Sequence, residues 1–491
     1  MSFQQGLSGL NGAAKSLDVI GNNIANASTV GFKGSQAQFA DVYANSLNGA
    51  GGNQAGIGVK VSQIAQQFTQ GNIEATSNPL DIAINGGGFF RTETSGAVQY
   101  SRNGQFSLDK NGFMVNAQGA KLTGFRAGPT GAILAGSPTA LQINTADLKP
   151  VATTVVATEI NLDSGSIIPL TSPFNAADPT SYNKQTPIDV FDSLGNPHVM
   201  SIFYVKTGSG AWDVYTAADG VEVTNQAVAG AAQTDAPSQA ARLAFQTAAT
   251  TPPGTTAAQA VAYAAAAGAA VNAAAIAAGA TPAVQAAILA AATSAGTTVG
   301  INPDQIDLAI AAAVNVPAVS GGFLRFDTSG ALSSALMAPQ TLPLSIDLPI
   351  FPPTGSLAPL TVDLNFANST QFGSPTSEKK TTQDGYTAGS LQRFAAGSDG
   401  IILGQYSNGQ SQALGQIVLA NFANPNGLSP LGNNAWAETS NSGAPLVGTP
   451  NSGSLGVLQS SAVENSNVDL TAELVNMITA QRVYQANAQT I

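Results

Sequence analysis

The sequence predicts a multidomain, mainly β protein with sandwich- or barrel-like domains. N- and C-terminal α-helices pair as a coiled-coil-like terminal domain, and an Ala-rich helical insert interrupts the β structure. Three observations carry this prediction. Both chain ends show a 4-3 apolar rhythm, the interior is cut into short apolar runs by turn dipeptides, and the interval 225–320 is Ala-rich and low in complexity. At 491 residues the chain exceeds one ordinary domain.

The N-terminal helix comes first. Phe3, Leu7, Leu10, Ala14, Leu17 and Ile24 follow alternating steps of four and three, with Leu17, Ile20 and Ile24 finishing the stripe. Such a heptad seam marks helices that pack side by side. The stretch LDVIGNNIANASTVGFK then turns amide-rich, and Gly21 with Asn22, Asn23 and Asn26 weakens and ends the helix. From Asn78 to Phe125, short apolar runs are separated by Asn103-Gly104, Asn111-Gly112 and Gln118-Gly119. These dipeptides accept the positive φ of tight hairpin turns. A second β region starts near Thr186, a third at Gly321, and a fourth spans Gly385 to Phe422 with turns at Asp399-Gly400 and Asn408-Gly409. Asn225 to Ser320 reads as about three or four inserted helices, because Ala is the best helix former. Thr281-Pro282 and Asn302-Pro303 each set a capping residue before a Pro at the first helical position. At the far end Leu470, Leu474, Met477, Gln481, Tyr484, Ala488 and Ile491 repeat the 4-3 rhythm. Asn467 is the expected cap, and Asp469 favours the positive end of that helix.

Composition excludes several classes. Only 9% of residues are charged, against roughly 25% in an average soluble domain. The net charge of −11 argues against a nucleic-acid partner, which needs clustered Lys and Arg; Lys379-Lys380 is the longest basic run. No membrane insertion is expected either: Ala257 to Ala280 is long enough to span, but Ala is barely apolar and Gln259 and Asn272 interrupt it. Cysteine is absent, so disulfides, thiolate nucleophiles and Cys-ligated metals are excluded. The start MSFQQGLSGLNG lacks the basic and apolar regions of a cleaved secretory signal.

No catalytic set, cofactor or metal site is expected. His198, the sole histidine, has no Cys to activate and no second His for a metal, and it reads as a surface strand residue. Gly86-Gly87-Gly88 follows an apolar run, but no Lys-Ser/Thr comes after it, so it reads as a tight β connection. Asp109, Asp192, Asp327 and Asp399 lack the further acidic ligands of a calcium loop and read as turn formers.

With chemistry set aside, the two ends carry the most specific signal. GLSGLNGAAKSLDVIGNNIANASTVGFKGS, holding Asn22, Asn23, Asn26, Thr29, Gly31, Phe32 and Lys33, closely resembles the N-terminal block of the bacterial flagellar axial proteins, the rod and hook family. SNVDLTAELVNMITAQRVYQANAQTI is similar to the matching C-terminal block. VFDSLGNPHVMSIFYVKTGSGAWDVYT, TQDGYTAGSLQRF and GIILGQYSNGQSQALGQIVLANFANPNGLSPLGNNAWAETSNSG resemble the hook branch rather than the shorter rod proteins. Read with the elements above, the resemblance gives this division: 1–32 plus 460–491, a terminal helical domain; 33–71, an extended linker; 72–147 plus 357–459, an inner β domain; 148–224 plus 321–356, an outer β domain; and 225–320, an outermost helical insert.

The resemblance implies a structural subunit, not an enzyme. It implies a chain exported unfolded through the flagellar type III apparatus, without a cleaved signal peptide, that polymerises with itself outside the cell. The expected neighbours are a rod protein at the proximal end and the hook cap and hook–filament junction protein at the distal end. The hook is a flexible universal joint that passes torque from rod to filament during motility. Its subunit interface would comprise both terminal seams with Phe32 and with Asn22, Asn23 and Asn26, whose uncharged amides would satisfy backbone groups of neighbouring chains. The family's C-terminal helix continues for several turns past the position of Ile491, so the chain is trimmed or its seam is short. The alternatives are a distal rod protein of the same family and a secreted β-rich adhesin.

Overall fold

The computed structural model describes residues 2–42, 58–248, 256–350, 355–356 and 359–489. The chain forms two compact units, Met1–Asp147 with Ser390–Ile491, and Leu148–Gly389.

The first unit holds both chain ends. Its N-terminal helix, Ser2–Ala25, packs on the C-terminal helix, Leu470–Gln489, and on the antiparallel strands Ser35–Val42 and Gly58–Gln66. The expected linker 33–71 thus contains a paired β element. The body beyond it is a sheet in the order 391–396, 401–406, 411–417, 121–126, 89–94, 97–101, 435–437, 429–432. Its aromatic core packs edge to face, with Phe89 and Phe422 centroids 5.9 Å apart and Tyr100 and Phe422 4.7 Å apart. Phe68, just past the paired strands, joins this core 5.4 Å from Phe89.

Turn chemistry mostly follows the sequence. Gly112 and Gly119 both adopt φ +79°. Asp109 Oδ1 accepts from the backbone N–H of Asn111 and Phe113, both at 2.8 Å, and Asp327 Oδ1 accepts from Ser329 N at 2.8 Å. Gly104 is different: it is not among the positive-φ residues, and a Cβ there would sit 1.7 Å from the Ile82 carbonyl oxygen. Close backbone approach, not a turn, demands the glycine.

The second unit is a β-sandwich. Strand Val155–Asp163 runs parallel to Leu360–Asn365 and Thr370–Phe372 and antiparallel to Ser377–Gln383. The other sheet is the meander Lys184–Phe191, Pro197–Gly208, Ala211–Ala218, with Gly322–Arg325 beside its third strand. Ile160, Tyr204, Trp212, Val362 and Phe366 fill the core, each 0% exposed. This corrects one boundary. Residues 357–389, grouped by sequence with the inner domain, fall in the second unit, because 155–163 takes their strands as partners. A parallel partner needs no hairpin turn and so leaves no turn signal.

The insert is helical, with more pieces than expected: Val223–Ala229, Ala231–Thr234, Ala236–Ala248, Thr256–Ala277, Pro282–Gly296 and Pro303–Ala311. The extra ones are short turns that carry no periodic signal. Asn302 and Gln305 form a reciprocal capping box, with bonds of 2.9 and 3.0 Å. Thr256–Ala277 contains a segment long and apolar enough to cross a membrane, but Tyr263, Ala264, Ala267, Val271 and Ala275 are buried in the insert's own core. Tyr263 Oη donates to Asp307 Oδ1 at 2.5 Å, and Arg242 bridges Asp304 and Asp307, tying three helices together.

Candidate functional site

Both terminal helices are anchored beside one buried ionic cluster. Lys33 Nζ lies 2.6 Å from Glu464 Oε1, and Arg102 Nη1 lies 3.1 Å from Glu464 Oε2; the Lys33 and Glu464 side chains are fully buried. Gly71 N donates to Glu464 Oε1 (2.8 Å), Lys33 Nζ to the Thr69 carbonyl (2.8 Å), and Arg102 Nη2 to the Gly86 carbonyl (2.9 Å). Burial pushes the Lys33 ammonium below its ordinary value, against the pull of Glu464, and does the same to Arg102. Sequence reasoning missed this cluster. Glu464 is 431 residues from Lys33 and 362 from Arg102, and each looks ordinary in its own stretch.

The amides of the N-terminal block serve their own chain first. Asn23 is 2% exposed. Its Nδ2 donates to the Ser35 carbonyl (2.8 Å) and its Oδ1 accepts from Ser35 N (2.9 Å), clamping the helix to the following strand. Asn26 Nδ2 donates to Asn22 O (3.0 Å) and Asn22 Oδ1 (3.1 Å) at the helix exit. Both ends of the Asn23 amide are thus engaged within its own chain. Asn467 is corrected. It does not cap the C-terminal helix: its Oδ1 accepts from Gly34 N (2.8 Å) and its Nδ2 donates to Gln67 O (2.6 Å). Asp469 takes the cap, accepting from Thr471 N (2.8 Å) and Ala472 N (3.2 Å).

The two helices pair, but not through the predicted seams. Gly9 backs onto Asn487, where a Cβ would meet Oδ1 at 2.6 Å. A groove of about 930 Å³ lies between the helices and the paired strands, lined in part by Gly12, Ala13, Ile20, Asn23 and Ala480. At roughly 100° per residue, both predicted seams point about 110–140° away from this side. Phe3, Leu7, Leu470, Leu474, Gln481, Tyr484 and Ala488 are exposed. Leu10, Ala14, Leu17, Ile24, Phe32 and Met477 are half-buried, and Ile20 packs inward. Ile491 lies outside the described residues. A 4-3 rhythm locates the apolar stripe but not what covers it, and here the inward faces are mostly small or polar.

Elsewhere, His198 Nδ1 lies 2.7 Å from Asp219 Oδ2 on the second unit's meander. Among the described residues no three His, Asp or Glu side chains group so as to hold a metal ion.

Comparison with known proteins gives a consistent result. Residues 3–33 match the family described as Flagella basal body rod protein, and residues 83–165 match Flagellar hook protein FlgE/F/G D1 domain. Residues 161–299 and 292–386 match Flagellar basal body protein FlaE D2 domain, and 459–491 match Flagellar basal body rod FlgEFG protein C-terminal. The flagellar hook protein FlgE of Escherichia coli is 37% identical over 100% of this chain and 96% of its own length. The flagellar hook protein FlgE of Salmonella typhimurium is 38% identical over the same shares. The crystal structure of Helicobacter pylori flagellar hook protein FlgE2 aligns with 80% of this chain and 100% of its own, at 12% identity and a TM-score of 0.45. With relatives at this identity matched along its full length, the chain belongs to the flagellar hook protein family.

Proposed function

We propose that this chain, a structural hook subunit, polymerises through the outward stripes of its two terminal helices. One observation carries the reading. The C-terminal helix has no buried residue among its described positions, yet Leu470, Leu474, Val475 and Ile478 stand 41–59% exposed on it. Each Leu or Ile covered by a neighbour contributes about 1.5–3 kcal/mol, and the entropy of ordering the helices offsets part of this. Identical subunits that meet through two different surfaces build an open helical filament. The terminal helices then line the inner wall, while lightly charged β domains slide over one another as the hook bends. A rod protein at the proximal end, and the hook cap and hook–filament junction protein at the distal end, are the proposed neighbours. The chain reaches its place unfolded, through the flagellar type III export apparatus and without a cleaved signal peptide.

Electron microscopy of the purified chain under polymerising conditions tests this. Curved tubes are expected from the unmodified chain. The double variant Leu474→Asp/Ile478→Asp should stay monomeric while unfolding like the parent. Tubes that form as readily from the double variant would sink the reading.

A further inference from the structure

We infer that the groove beside the N-terminal helix receives the C-terminal helix of a second copy, whose Arg482 pairs with Glu473. This rests on the polymerisation reading and assigns it a specific contact. Glu473 lines the groove. Its Oε1 accepts from Asn23 Nδ2 at 3.3 Å, but its Oε2 is buried without a hydrogen-bond partner. A carboxylate oxygen withdrawn from water with no donor is costly, so the single chain leaves this site incomplete. Asp469, one turn earlier, also lines the groove and adds negative charge beside it. The groove therefore calls for a cation.

The terminal helices carry two cations, Lys15 and Arg482. Lys15 is held by Asp18 at 3.1 Å. Arg482 is exposed, and no described residue forms an ion pair or hydrogen bond with it. Its own chain cannot supply the pairing along the helix: nine residues separate Glu473 from Arg482, which at roughly 100° per residue sets them on opposite faces. One helix thus presents an acid to the groove and a cation away from it. Two complementary surfaces on different sides of one subunit are what an open, non-closing polymer requires. The planar guanidinium fork also suits a carboxylate better than an ammonium would.

The chain lacks cysteine, which makes the decisive experiment clean. Full-length Glu473→Cys and Arg482→Cys chains are mixed as minor fractions into the unmodified chain under polymerising conditions and treated with a short bismaleimide, because a Glu–Arg pair holds its Cα atoms farther apart than a disulfide spans. A 473–482 cross-linked dimer should appear in tubes and be absent from dissociated monomers. In parallel, Arg482→Glu should raise the critical concentration for tube formation by about tenfold or more, and Arg482→Glu/Glu473→Arg should recover tubes. Tubes without the cross-link, or Arg482→Glu tubes at the parent's concentration, overturn the pairing and leave the polymerisation reading standing. If the unmodified chain makes no tubes, both fall together.

Discussion

The helices Thr256–Ala277 and Leu470–Gln489 have nearly equal lengths, 22 and 20 residues, and opposite fates. The insert helix buries Tyr263, Ala267 and Ala275 completely. Its Gly268 sits so close to the next helix that a Cβ would lie 2.5 Å from that of Ala292. Its buried hydroxyl ends on Asp307. The C-terminal helix carries Leu470, Leu474, Val475 and Ile478, yet its own chain leaves them exposed. The presence of large apolar side chains therefore does not distinguish a helix that stabilises its own domain from one that its own chain leaves uncovered. What distinguishes them is whether small residues on adjacent elements of the same chain let a partner approach the apolar side.

Three perturbations would break or sharpen this contrast. The largest acts at the anchor of the outward helices. Glu464→Ala leaves Lys33 and Arg102 buried and unpaired, and should cost the first unit about 3–5 kcal/mol in urea unfolding. An unchanged midpoint would mean that the outward helices are held from somewhere else. Next, Ile288→Ala opens a cavity at a position 0% exposed in the insert core. It should destabilise the insert by about 2–4 kcal/mol by calorimetry, with tube formation intact. Loss of tubes would show that the insert is not self-contained.

The smallest effect is acidic. Burial raises the Asp384 carboxyl, but donors from Thr154 Oγ1, Thr154 N and Val155 N outweigh it and hold the group below the usual carboxylate range. A depressed folded value means the contribution is fully present above the unfolded value and is lost as pH falls through the folded one. The second unit should therefore lose stability more steeply below about pH 4 than its Asp384→Asn variant does. Parallel acid profiles would remove Asp384 from the account.

Local features were legible in the sequence. Gly112 and Gly119 mark turns because φ > 0 is a property of two or three residues, and Asn302-Pro303 reads directly as a helix start. Both terminal helices also follow from periodicity. Their facing does not, since the sides that meet are Gly9, Ala13 and Asn487 rather than the Leu-rich stripes. Residues distant in sequence were the hardest. Nothing near Lys33 announces Glu464, and nothing near Leu360 announces its parallel partner at 155–163. Asn467 illustrates a third kind of miss: a residue suited to capping was taken by a stronger demand from the backbone of Gly34 and Gln67.

The position of Glu464 also sets a timetable. The second unit is one continuous stretch, Leu148–Gly389, whereas the first is assembled from the two ends of the chain. A polypeptide delivered N-terminus first has every residue of the second unit in hand while Lys33 still waits for its carboxylate, 431 residues downstream. The last body to close is the one that carries both terminal helices. A chain cut short before residue 464 keeps all the residues of its continuous unit but lacks the one carboxylate that pairs with both Lys33 and Arg102.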